Sequence, residues 1–281
     1  MNCGTILHVL REEFRLRKFG FGNVDDGRFY TFQFRLPPIV YILYRLFLAL
    51  YTMSWLIVTR NGGIDAGGKL GWGVFLTNWT YTVLTIYLIT HLVAAVVYHI
   101  YKWRQGDSIF RRIEQDVHNN FFRDDDDMSF QVSSKVHLYI ARIIVWIMFN
   151  VVSTGALVVT VIFWTSIYPG LSSGGPIGSY NIQLHVLNSL IVFIEHFVTA
   201  VPFRILHFIY PFAYLLIYTI FSAIYWAGDH SRVIYDILDW NNPGLSTGVV
   251  FLVGLVVVPL FHFLFYSIGK LRVFAYKKLA A

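Results

Sequence analysis

An all-α, polytopic membrane bundle of six transmembrane helices with both termini in the cytosol is the fold this sequence predicts. Three observations predict it. The 281-residue chain is 56% hydrophobic, 18% aromatic and only 14% charged, with a mean hydropathy of +0.57, which is more apolar surface than one globule can hide. Six apolar stretches are each long enough to cross a bilayer, which takes about 20 residues. Lysine and arginine gather on alternate connections between those stretches.

The elements follow in order. Residues 1–37 form a polar arm carrying Arg11, Arg15, Arg17, Lys18, Arg28 and Arg35, and no charged-then-apolar segment there ends in the small residues of a signal-peptide cleavage site. The six apolar stretches run over Pro38–Val58, Gly73–Ile100, His137–Trp164, Ile182–Ala200, Leu206–Trp226 and Gly248–Ile268. The first outer connection, Arg60 to Lys69, and the second, Pro169 to Pro176, are short and rich in glycine, so they read as turns. Residues 102–135 make a soluble loop too short to bury a core of its own, and residues 270–281 a basic tail. Asp239 or Asn242 is placed to cap the sixth helix, while Gly155 and Pro259 are positions where the third and sixth helices can bend.

Positive charge sets the orientation. Lys102, Arg104, Arg111, Arg112, Arg123 and Lys135 lie in the connection after the second stretch, Arg204 in the connection after the fourth, and Lys270, Arg272, Lys277 and Lys278 at the C-terminus. Together with the basic arm they mark one side of the membrane as cytosolic. The alternate connections carry only Arg60, Lys69 and Arg232. One misplaced helix would scramble this parity, so the asymmetry supports six crossings as well as their direction.

The same topology accounts for the net charge of +6 and the isoelectric point near 9.3, through attraction to anionic headgroups of membrane lipids. No nucleic-acid motif is present, and the run Asp124–Asp127 reads as a solvated charge run. The single cysteine, Cys3, excludes an internal disulfide and a thiolate metal site, and its position permits S-acylation. Asn78-Trp79-Thr80 spells a glycosylation sequon, but within or against the second helix. No metal or cofactor is called for.

Ionisable side chains in hydrocarbon are costly and turn inward to pair or to serve function. At about 1.5 Å per residue, Arg45, Arg142, Glu195, His196 and His262 all fall in the cytosolic half. The depths predict an ion pair between Arg142 and Glu195, with Arg45 or the histidines nearby, and a structural network that holds helix register is the favoured reading. On the fourth helix, His185, Asn188, Ser189, Glu195, His196 and Thr199 share one side, a polar stripe too long to face lipid. His185 and His196 lie roughly 16 Å apart along the axis and cannot share one metal ion.

At the outer end, Thr77 on the second helix and His185 on the fourth fall at one level. A threonine hydroxyl becomes a nucleophile when a neighbouring base takes its proton, and histidine is the commonest such base. The competing reading is structural: threonines in helices bond back to the preceding turn, and buried histidines mostly hold hydrogen bonds.

The segments Tyr210-Pro211, Tyr214-Leu-Leu-Ile-Tyr-Thr-Ile-Phe-Ser-Ala-Ile-Tyr225 and Ile234-Tyr-Asp-Ile-Leu-Asp-Trp-Asn-Asn-Pro-Gly244 resemble the Rolling stone family, membrane proteins named for a role in insect myoblast fusion. The likeness runs from about Phe32 to the C-terminus. More distantly, His185-Val-Leu-Asn-Ser-Leu-Ile-Val-Phe-Ile-Glu195 and Phe75-Leu-Thr77 are similar to segments of the androgen-induced and androgen-dependent membrane proteins. Those are six-helix hydrolases of fatty acid esters of hydroxy fatty acids. That resemblance implies Thr77 as nucleophile and His185 as general base, with Thr80 and Thr82 as alternative nucleophiles because the flanks differ. Asn78 and the indole of Trp79 then stand ready to polarise a carbonyl, and Asn188 to contact substrate. Trp79 serves equally well as an interfacial anchor.

Two functional classes follow. One is an intramembrane hydrolase whose lipid-ester substrate enters from the bilayer. The other is a non-enzymatic membrane protein that supports cell–cell fusion through protein partners whose identity the sequence does not reveal, in the plasma membrane or the endoplasmic reticulum. A transporter would favour inverted repeats or broken helices and a channel a filter loop or acidic rings, neither of which is evident.

Overall fold

The computed structural model describes residues 11–22, 24–61, 71–114, 136–171 and 177–280. Cys3, the first outer loop beyond Asn61, and Asp124–Asp127 lie outside them. Six helices are long and apolar enough to cross a membrane: α1 (Pro38–Asn61), α2 (Leu76–Arg104), α3 (Val136–Ile167), α4 (Ser179–Val198), α5 (Ile205–Gly228) and α6 (Pro243–Ala275). Among the described residues the extended structure amounts to one isolated antiparallel bridge, Phe32 to Thr199. Glu13 meets Lys270 at 2.8 Å, so the first and last described segments lie at one end of the bundle, the terminal face.

α3 is the central helix, with 67% of its most apolar window buried, against 17% for α6 at the rim. Apolar residues such as Leu43, Phe47, Ile57, Phe251 and Leu255 are more than half exposed. In water they would drive association; in a bilayer they face acyl chains. Helix association within lipid gains little from the hydrophobic effect, so interhelical hydrogen bonds and close packing hold such a bundle together. Tyr51 donates to Gln183 at 2.6 Å and Gln183 to Tyr81 at 2.8 Å, tying α1, α4 and α2. Thr160 and Ser189 meet at 2.7 Å between α3 and α4, and Thr80 and Tyr214 at 3.0 Å between α2 and α5.

Local chemistry shapes the helix ends and bends. Asn242 caps α6, its side chain accepting the Leu245 amide at 3.4 Å with Pro243 next in line. Pro259 has no N–H to offer the carbonyl four residues back, and the wide π-helical turn Val253–Val257 stands just ahead of it. Similar turns occur in α3 at Phe163–Ile167 and in α4 at Gln183–Leu187. Gly155 packs α3 directly against α2, where an added Cβ would stand 3.5 Å from the Thr80 methyl.

The N-terminal arm is the main departure from the sequence reading. The sequence reads it as a polar arm, yet Phe29 and Tyr30 are fully buried and the arm plugs the terminal end of the bundle. Buried cations and histidines take its backbone carbonyls. Arg142 donates to Val24 at 2.9 Å and Phe21 at 3.0 Å, Arg204 to Gly20 and Gly22, while His91 bonds Phe29 and His99 bonds Tyr30. A carbonyl only accepts, so both imidazoles donate there. The large core, with Trp146, Phe149, Tyr87 and Leu88 at its centre, surrounds this plug. Toward the opposite face lies a second, smaller cluster of Val158, Leu215 and Val258.

Candidate functional site

Beside that smaller cluster, a cleft of about 290 Å³ opens between α2, α3, α5 and α6. Its walls are carbon: Val159 and Ile162 from α3, Phe212 from α5, Gly254 from the π-helical turn of α6. Its polar end is built from Thr77, Tyr218 and Tyr235. π-Helical turns in α-helices cluster at functional sites, and this cleft touches two of them, through Ile167 and through Val253–Leu255.

Thr77 sits in the first turn of α2, behind an extended Phe75. The first amides of a helix have no intrahelical partner. Here Tyr235, from the connection between α5 and α6, supplies one, its phenol oxygen accepting the Leu76 amide at 3.0 Å. The Thr77 hydroxyl and amide approach the same oxygen, and the Tyr218 and Tyr235 phenols touch. A phenol carries one proton. That of Tyr218 goes to the Val74 carbonyl at 2.8 Å, which leaves the Tyr218 oxygen as an acceptor. Burial pushes the Tyr235 phenol above its ordinary value, so it stays neutral and does not draw the proton from Thr77.

Asn78 and Trp79 have both donors occupied: Asn78 gives its amide to the Trp72 carbonyl at 2.6 Å and Trp79 its indole N–H to Gly73 at 2.7 Å. They fold residues 72–75 onto the helix, and Asn78 at 2% exposure is no surface sequon. Thr82 spends its hydroxyl on the Asn78 carbonyl at 2.6 Å, and Thr80 shares its own with Tyr214.

His185 lies in the π-helical turn of α4, its ring stacked on Phe163 with centroids 3.5 Å apart and planes within 4°. Its Nδ1 is buried with no hydrogen-bond partner, as are both amide atoms of Asn188 one turn on. Among the described residues no hydrogen bond joins Thr77 to His185. α2 turns Thr77 toward α5 and Tyr235, whereas α4 turns His185 toward α3.

The inner polar groups also assemble, with one exchange of partners. Glu195 pairs with Arg45 at 2.5 Å, both side chains essentially unexposed, and accepts Tyr44 at 2.7 Å and Tyr87 at 2.9 Å. The pair expected between Arg142 and Glu195 does not form: Arg142 binds Asp26 at 2.8 Å. Depth along the membrane places these groups at similar heights, but azimuth decides contact, and Arg142 faces the arm. His196 meets Ser153 at 2.9 Å. His262 donates to the Arg204 carbonyl at 2.9 Å. These bonds join α1, α2, α3 and α4, and tie α6 to the connection after α4.

Tyr235 and Tyr218 were not singled out in the sequence. The available signal was an aromatic and aliphatic run, Ile234-Tyr-Asp-Ile-Leu, inside a short polar connection, where a solvated loop has no need of it.

The model of the family described as Protein rolling stone matches residues 5–280. Protein rolling stone of Drosophila melanogaster is 24% identical over 275 residues, covering 93% of this chain and 89% of that protein. No solved structure matches the chain. The match spans all six membrane helices, the arm that plugs them and the connection bearing Tyr235, and the chain belongs to the Rolling stone family.

Proposed function

We propose that this protein handles lipid within the bilayer, taking an acyl chain into the cleft between α2, α3, α5 and α6 with the polar end of the lipid against Thr77. The observation that carries the reading is a carbon-walled cleft whose polar end is three hydroxyls at a helix N-terminus. Helix N-termini favour developing negative charge, so an ester carbonyl suits that end better than a positively charged group.

Hydrolysis is the specific chemistry we propose there, with His185 brought in from α4. Thr77 Oγ attacks the ester carbonyl and His185 takes its proton. The alcohol leaves with that proton, and water then cleaves the acyl-threonine to release the fatty acid. The amides of Leu76 and Thr77 would hold the oxyanion once Tyr235 swings away. In favour stands the unpartnered Nδ1 of His185 in a π-helical turn. The mechanism requires that imidazole to leave Phe163 and reach Thr77 when lipid binds.

The test is incubation of the purified protein with fatty acid esters of hydroxy fatty acids, alongside a fluorophosphonate probe, for wild type, Thr77→Ala and His185→Ala. Turnover and labelling lost in both variants supports the hydrolase. Lipid retained in the cleft without turnover leaves lipid binding as the function, and fusion through protein partners then becomes the reading to pursue in cells. Absence of both turnover and retained lipid would overturn the proposal.

A further inference from the structure

A second, larger cavity of about 600 Å³ lies at the terminal face between α1 and α2, remote from Thr77. Its origin is local. α2 ends in a Schellman motif, with Gly106 at φ +99°, its amide bonded to the Trp103 carbonyl at 3.0 Å and the Asp107 amide to Lys102 at 3.1 Å. That cap turns the chain back across the end of α1, where the Ile39 amide meets the Ile109 carbonyl at 3.0 Å. The returning segment roofs a space floored by Ile42, Val96 and Ile100, with His99 and Asp107 on its walls.

Two features name the occupant. Trp103 and Phe110, which flank the cavity, are 64% and 72% exposed, and exposed aromatics at a helix end mark the membrane–water boundary. The next residues are basic: Arg111 and Arg112 follow Phe110, and Arg35 is tied to the same segment by its bond to the Ile113 carbonyl at 3.1 Å. An apolar floor beside exposed aromatics, with Asp107 already paired to Lys102 at 3.6 Å and exposed arginines next along the chain, suits an acyl chain that carries an anionic headgroup.

We infer that this cavity binds one anionic glycerophospholipid from the leaflet at the terminal face, an acyl chain lying over Ile42, Val96 and Ile100 and the phosphate at Arg111 and Arg112. The site is independent of the cleft at Thr77.

The test is native mass spectrometry of the full chain released from phosphatidylcholine nanodiscs containing phosphatidylserine. Wild type should retain one phosphatidylserine in preference to phosphatidylcholine. The double variant Arg111→Glu/Arg112→Glu, at exposed positions, should weaken retention at least about tenfold, since each basic group near the surface contributes roughly fivefold. Val96→Phe should expel the lipid by filling the floor, and soluble glycerophosphoserine should not displace it. Equal retention of the two lipids, unchanged retention in the double variant, or displacement by the soluble headgroup would overturn the inference.

Discussion

Arg45 and Glu195 meet at 2.5 Å in the interior of the bundle, with three tyrosines, Tyr41, Tyr44 and Tyr87, hydrogen-bonded to the pair. A charge without its partner is far more costly there than the pair together. Glu195→Gln or Arg45→Met alone should therefore destabilise the protein by about 3–5 kcal/mol, and the two combined by less than the sum. Thermal unfolding in one detergent, run as a double-mutant cycle, reads the coupling; additive effects would refute the pair as a unit.

The arm depends on Arg142 more than on Asp26. The guanidinium holds two arm carbonyls as well as the Asp26 carboxylate, so Asp26→Asn leaves two of its three partners. Limited proteolysis should cut the arm readily in Arg142→Ala and only slightly faster than wild type in Asp26→Asn. Equal protection of both variants would show that the buried aromatics alone seat the plug.

Tyr235→Phe removes the acceptor of the Leu76 amide. A loss of about 1–2 kcal/mol is expected, with reduced lipid retention in the cleft. The folded phenol is raised by burial, so its contribution is whole below the unfolded value near 10 and is lost as pH climbs through the folded value. The stability gap between wild type and Tyr235→Phe should be flat from neutral pH to about 10 and shrink above it. A gap that shrinks below that range would contradict a buried, neutral phenol.

Gly254 forms part of the cleft wall, and an added Cβ would stand 3.2 Å from the Phe212 ring. Gly254→Val should narrow the cleft and lower its lipid occupancy, at a packing cost of about 1–3 kcal/mol. Native mass spectrometry distinguishes this from the terminal-face cavity, whose phosphatidylserine should stay. Undiminished lipid at the cleft would mean that the chain lies elsewhere.

Six crossings, the all-helical class and the inward polar stripe of α4 were legible in the sequence because they depend on length, composition and a 100° step, all local quantities. Every stripe residue from His185 to Thr199 is buried. The cap at Asn242 was legible for the same reason. The candidate site was legible only in part: Thr77 was named, but Tyr235, which caps the amide of Leu76 beside it, comes from a connection 158 positions later.

What the sequence by itself determined is how many helices are long and apolar enough to cross, and which face of α4 turns inward. Rotation about each helix axis and the path of the connecting chain were decided by tertiary structure. Those two freedoms gave Glu195 to Arg45 and Arg142 to Asp26, turned Thr77 to Tyr235 and His185 to Phe163, and drew a charged arm into the core. The physical reason is that hydrophobicity in a bilayer sorts residues by depth and exposure but not by partner. Partners are chosen by directional hydrogen bonds, and those form only when all the helices are in place.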